Sequence, residues 1–110
     1  MKRGEIWTVS GGSDYTGKPR PAVIIQDDIF DATPSVTICA FTSDPSEAQL
    51  LRLRIEPSDL NGLTVPSRLM VDKVTTVSRS KIGSRIGRLA PDDIAKLNRA
   101  IIVFLGLTSK

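Results

Sequence analysis

Apolar and polar residues alternate in short runs over most of the chain, and a helical period takes over only near its end. Glu5–Ser10 sets Trp7 and Val9 on one face, and Gly11-Gly12 ends that run. Ala22–Gln26 is nearly continuous in apolar character, which suits a strand buried on both faces. Val36–Thr42 alternates, with Val36, Ile38, Ala40 and Thr42 on one face and Thr37, Cys39 and Phe41 on the other. Leu51–Ile55 alternates too, so Leu51, Leu53 and Ile55 are expected to point inward and Arg52 and Arg54 outward. Asn61-Gly62 predicts a tight turn. Ser67–Ser78 reads as one long, bent strand or two in succession.

The end of the chain is helical. Pro91 suits the first helical position, where its missing N–H costs nothing, and Asp92 and Asp93 complement the positive end of the helix dipole. Ile94, Leu97, Ile101, Phe104 and Leu105 then form a stripe expected to face the core. Gly106 is the expected stop. Short strands with polar turns and one terminal helix predict a mainly β fold, a small, strongly bent antiparallel sheet or barrel with the helix packed over it.

Composition narrows the chemistry. A chain of 110 residues with 40% hydrophobic and 25% charged residues fits one ordinary globular domain, expected to span 1–110. It has no histidine and one cysteine, which excludes histidine relays, an internal disulfide and a cysteine-rich zinc site. Catalysis, if present, falls to carboxylates, hydroxyls, Lys or Arg, or to the substrate. The net charge of +3 is modest, but it is uneven. Residues 1–55 carry 6 basic and 7 acidic side chains, and residues 56–110 carry 9 and 5. Met1-Lys2-Arg3 leads into Gly4-Glu5 rather than an apolar run, and no apolar stretch is long enough to cross a bilayer. A cytoplasmic protein without membrane contact is expected.

Three features carry candidate chemistry. In Lys18-Pro19-Arg20-Pro21 the prolines stiffen the backbone around Arg20. Arg20 is then either a fork aimed at a phosphate or a surface arginine in a rigid turn. The hydroxyls of Thr42 and Ser43, at a strand end, either contact a phosphate or cap the next turn. Arg79, Lys81, Arg85 and Arg88 form a run without an acid, either a track for a nucleic-acid backbone or a solvated face, and Arg52 and Arg54 add to the basic surface. RNA would suit such residues. Its 2′-OH is its own nucleophile, so a protein need supply only orientation, charge stabilisation and proton handling.

Five segments in order resemble the MazF/PemK family of toxin endoribonucleases: KRGEIW (Lys2–Trp7), RPAVII (Arg20–Ile25), CAFTS (Cys39–Ser43), VDKVTTVSRSKIG (Val71–Gly83) and GRLAPDDIAKLNRAI (Gly87–Ile101). The resemblance implies an SH3-like twisted antiparallel β-barrel with a C-terminal helix. It implies a homodimer that cuts single-stranded RNA (mRNA, or tRNA or rRNA) at short sequences without metal or other cofactor, leaving 2′,3′-cyclic phosphate and 5′-OH ends. It also implies neutralisation by a cognate antitoxin, through which the complex contacts DNA. By position Arg20 and Thr42 match the family's catalytic residues. Because arginine stays protonated, Arg20 is expected to clamp the scissile phosphate, with Thr42 orienting an oxygen or passing a proton.

Lys18, Ser43, Arg52, Arg54, Asp72, Arg79 and Lys81 are the expected RNA contacts, together with Tyr15, which stands where some members have a glutamate. Met70 stands where some have an arginine. The general base stays open between Asp14, Asp72 and none. Two alternatives on the same fold are a CcdB-like gyrase poison and a non-catalytic nucleic-acid-binding module.

Overall fold

The computed structural model describes residues 1–10, 18–44 and 51–107. The chain forms strands β1 (Glu5–Val9), β2 (Arg20–Ile24), β3 (Ser35–Thr42), β4 (Arg52–Ile55), β5 (Ser67–Met70), β6 (Thr75–Ser78) and β7 (Ile82–Arg88), then helix α1 (Pro91–Phe104). The sheet runs in the order β4-β5-β3-β2-β1-β7, with β6 also paired to β3, and all pairings are antiparallel.

β3 organises this sheet because it serves both faces and both edges. One edge pairs with β2, in the register Ala22↔Ala40, Val23↔Cys39 and Ile24↔Ile38. The other edge is shared: Ser35–Ile38 pair with β6, and Phe41 and Thr42 pair with β5. The two ladders are offset by three residues, the length of the 3-10 turn Val71–Lys73 between β5 and β6. Ser67–Ser78 is therefore two strands. The turn buries Val71 and is pinned where Val71 N–H donates to Leu51 C=O at 3.1 Å.

The alternation of β3 builds two apolar layers. Cys39 and Phe41 join Ile6, Val23, Leu69 and Leu97 in the core beneath α1. Val36 and Ile38 join Ala22 and Ile24 in a smaller cluster on the other face, with Trp7 and Val9 packed against it. β2 lies between these layers, which is why Ala22, Val23 and Ile24 are all buried. Helix α1 meets the core through Leu97, with Ile94, Ala100 and Ile101 beside it.

The expected stripe continues to Phe104 and Leu105, but these are 43% and 55% exposed, because the last turn projects beyond the buried cluster. The helix stops at Gly106 (φ +69°). There Gly106 N–H donates to Val103 C=O and Leu107 N–H to Ile102 C=O, the paired closure that a left-handed glycine permits.

Asn61-Gly62 makes more than a tight turn. The buried Asn61 side chain accepts from the N–H groups of Ser58 and Leu63 and donates to Glu56 C=O, so one amide holds residues 56–63 in shape. The loop presses on β7. Arg88 N–H donates to Leu60 C=O at 3.0 Å. A Cβ on Gly62 would sit 2.0 Å from Ile86 C=O, and one on Gly87 2.4 Å from the Asn61 carbonyl. Both positions are glycine because two backbones cross there.

One face assignment fails. Arg54 points outward, with its side chain 58% exposed, but the Arg52 side chain is only 2% exposed. It turns back into the fold to pair with Asp72 on the 3-10 turn after β5. Alternation sets the face of a side chain, and a long guanidinium then follows its nearest carboxylate. No helix among the described residues is long and apolar enough to cross a membrane.

Candidate nucleic-acid interface

The pairing registers generate a row of side chains across the face opposite α1. Arg54 is the cross-strand partner of Arg68, and Arg68 of Thr42. Continuing the β2–β3 register two residues sets Arg20 opposite Thr42, and Arg20 is in turn the partner of Val9. Directly opposed residues of antiparallel strands share a face. Thr42 thus stands between two arginines, with a third beyond Arg68.

The Thr42 hydroxyl is fixed by its own turn. Its Oγ1 accepts from Asp44 N–H at 3.2 Å. A hydroxyl that accepts one bond in this way still carries a proton to donate. Capping the turn and contacting a phosphate are therefore compatible in this residue.

Three grooves open around these residues. One of about 500 Å³ has Ala22, Ile38 and Ala40 in its floor and Lys18, Arg20 and Lys81 among its lining. A second, of about 290 Å³, is lined by Arg20, Ser43, Gly62, Thr64 and Val65. A third, of about 400 Å³, is lined by Thr42, Ser43, Arg54, Pro66 and Arg68. Arg20 borders the first two and Ser43 the last two, so cations and hydroxyls alternate along one continuous surface.

Of the residues singled out in the sequence, Lys18, Arg20, Thr42, Ser43, Arg54 and Lys81 lie on this surface. The Arg79–Arg88 run does not form one track. Arg79 donates from Nε to Thr33 C=O at 2.8 Å, and its backbone N–H is bonded to Pro34 C=O. Arg85 pairs with Glu5 at 3.0 Å. A 3-10 turn (Arg79–Lys81) followed by a strand sends successive side chains in different directions. Arg52 and Asp72 are spent on each other, which removes Arg52 from the surface. Tyr15 and Asp14 lie outside the described residues.

Arg68 is the site residue the sequence reading missed. Its only sequence signal is its place beside the apolar Leu69 in a short strand; the structure adds that Ser67, on its other side, is buried. That Thr42 is its neighbour depends on strand register.

Two groups titrate away from their ordinary values, and neither lines these grooves. Burial, with the Asp72 charge adding to it against Arg52, pushes the Cys39 thiol up to about 12, so Cys39 is an inert part of the core. Burial also pushes the Glu5 carboxyl upward. Bonds from Lys2 N–H and Trp7 Nε1 and the Arg85 charge outweigh that push and hold it below the usual carboxylate range. Among the described residues no group of three or more His, Cys, Asp or Glu side chains is placed to hold a metal ion.

Comparison with known proteins places this arrangement in a class. Residues 2–105 match the PemK-like, MazF-like toxin of type II toxin-antitoxin systems, and the chain belongs to that family. It is 55% identical over 107 residues to a probable endoribonuclease MazF of Mycolicibacterium smegmatis, covering 97% of this chain and 98% of the relative. It is 26% identical to endoribonuclease MazF9 of Mycobacterium tuberculosis, covering 99% of each. Among solved structures, a mycobacterial endoribonuclease in complex with its cognate antitoxin superposes with a TM-score of 0.80 at 21% identity, covering 100% of this chain and 99% of that one. The mainly β fold with a C-terminal helix is as expected from the sequence.

Proposed function

We propose that this chain is the toxin of a type II toxin–antitoxin pair and acts as an endoribonuclease on single-stranded RNA. The reading rests on the β2–β3 register, which when continued two residues sets Arg20 opposite Thr42, within a family match spanning residues 2–105. The high identity to a probable endoribonuclease over nearly the whole chain favours cleavage over gyrase poisoning or simple binding.

In this reading RNA lies along the grooves with its scissile phosphate between Arg20 and Thr42. The RNA 2′-OH attacks that phosphate and the 5′-oxygen leaves, giving a 2′,3′-cyclic phosphate and a 5′-OH. Arg20 stays protonated and donates through its fork to the non-bridging oxygens, where charge accumulates. Thr42, already accepting from Asp44 N–H, donates its own proton to the same phosphate. Lys18 and Lys81 attract neighbouring phosphates, Ser43 adds a hydroxyl, and Tyr15 stacks on a base. The reaction needs no metal in this scheme, and selectivity for short sequences resides in the loops at 11–19, 43–50 and 56–66.

The exposed apolar end of α1 (Val103, Phe104, Leu105) supports a homodimer paired across a two-fold axis. The mycobacterial and Deinococcus radiodurans neighbours solved with antitoxins support a cognate antitoxin as the protein partner.

The test is incubation of the purified protein with long, mixed-sequence RNA in excess EDTA, followed by end analysis. Fragments that accept a 5′-phosphate from a kinase without prior dephosphorylation, and that carry cyclic phosphates, are expected at a restricted set of sequences. RNA that stays intact across varied sequences overturns the reading.

A further inference from the structure

We propose that Arg54 and Arg68 form a second phosphate subsite that grips a phosphate two linkages from the scissile one, while Arg20 serves the scissile phosphate itself. The proposal rests on the endoribonuclease reading for its substrate and adds a division of labour among the arginines.

Three observations lead there. Arg54 and Arg68 are direct cross-strand partners on β4 and β5, so their side chains leave the same face side by side. Two guanidinium groups so placed can donate to one phosphate together. Secondly, both arginines line the 400 Å³ groove together with Thr42 and Ser43, whereas Arg20 lines two grooves that contain neither arginine. Thirdly, Arg20 and Arg54 sit on strands three ladder steps apart, about 14 Å at the usual strand spacing. An extended strand sets adjacent phosphates about half that distance apart, so the subsite takes a phosphate two linkages from the scissile one. The Arg54–Glu56 contact, 2.5 Å from Nε, is exposed at both partners. Such a pair contributes little, and a phosphate competes with it readily.

Thr42 is then the divider. Its hydroxyl faces the scissile phosphate, and the far side of its backbone borders the subsite. RNA crossing from the Arg20 grooves into the Arg54/Arg68 groove must place its reacting linkage over Thr42. In this way the second subsite sets the register of the strand at the reacting bond without touching it. Its chemistry requires a phosphodiester and ignores the base.

The test compares wild type, Arg68→Gln and the surface variant Arg54→Gln. The probe for binding is a short 2′-O-methyl RNA, which lacks the nucleophile, titrated over a range of salt. Loss of one phosphate contact is expected to reduce the slope of log K against log salt by about 0.7. In cleavage of ordinary RNA, KM is expected to rise about tenfold in each variant with kcat within about twofold, the signature of lost ground-state binding. Unchanged slope and KM in both variants overturn the proposal. So does a fall in kcat at constant KM, which would move Arg68 onto the scissile phosphate. Since Arg54 is exposed, its variant keeps the test valid if Arg68→Gln fails to fold. Wild type that binds the probe but never cuts RNA sinks the nuclease reading alone, because the salt slope still reports the subsite. Wild type that binds no RNA overturns both.

Discussion

Arg52 and Arg54 leave β4 on the same face, yet Arg52 reaches back into the protein to bind Asp72 while Arg54 stays in solvent. The pair ties the sheet edge to the 3-10 turn that redirects the chain from β5 to β6. It is a structural element bordering the interface.

Breaking that pair should therefore cost stability before it costs chemistry. Asp72→Ala leaves the Arg52 guanidinium buried beside the core and is expected to destabilise the fold by about 3 kcal/mol, read as a lower urea midpoint. At a temperature where the variant is still folded, kcat should remain near wild type. A kcat that collapses in a fully folded Asp72→Asn variant would instead make Asp72 the missing general base.

Arg20→Ala should reduce cleavage by about 10²–10³-fold, the range for removing a preorganised donor from developing charge. Arg20→Lys should recover only a small part, since an ammonium cannot reproduce the planar fork. Thr42→Ser should retain most activity and Thr42→Val little, because the proposed role needs a donated proton. Single-turnover rates on a mapped RNA site would check all four.

The Glu5 carboxyl predicts an acid-side loss of stability. Its folded pKa lies below the unfolded one, so its contribution is complete above the normal value near 4.5 and disappears as pH falls through the folded value. Glu5→Gln should lower stability at pH 7 by about 1–2 kcal/mol and match wild type at strongly acid pH. Denaturant curves at the two pH values would show whether the difference closes.

Cys39 should resist alkylation in the native state at pH 8, because it is fully buried and its thiol is held near 12. It should react promptly once the chain is unfolded in urea. Rapid native labelling, followed by mass spectrometry, would contradict the packing of β3.

The crossing of Gly62 and Gly87 gives the sharpest packing prediction. An added Cβ at either position meets backbone rather than a movable side chain. Gly87→Ala is expected to destabilise by more than about 2 kcal/mol, with lost thermal stability as the readout. Gly62→Ala should do so as well, since its φ of +69° disfavours a side chain.

Strand and helix identities were legible because their signals are local. The period of two around Val36–Thr42 and the proline and glycine bracketing Pro91–Phe104 need no distant partner. The bend at Val71–Lys73 was legible only as a choice between one strand and two, since it depends on the two ladders sharing an edge of β3. The same limit governs the site. Arg20 and Thr42 stood out through the segments around them, but Arg68 acquires meaning only when register sets it beside Thr42. The inward turn of Arg52 was illegible because it depends on where Asp72 lands.

Among the described residues β4 is the outermost strand on its side of the sheet, and it is only four residues long. A bare strand edge invites another chain to add to it, and brevity and charge are the usual defences. Arg54 supplies that charge, since Arg52 is folded inward onto Asp72. The residue proposed to hold RNA therefore also guards the protein against its own copies. Neutralising it removes one of these two defences and leaves the brevity of β4 as the other.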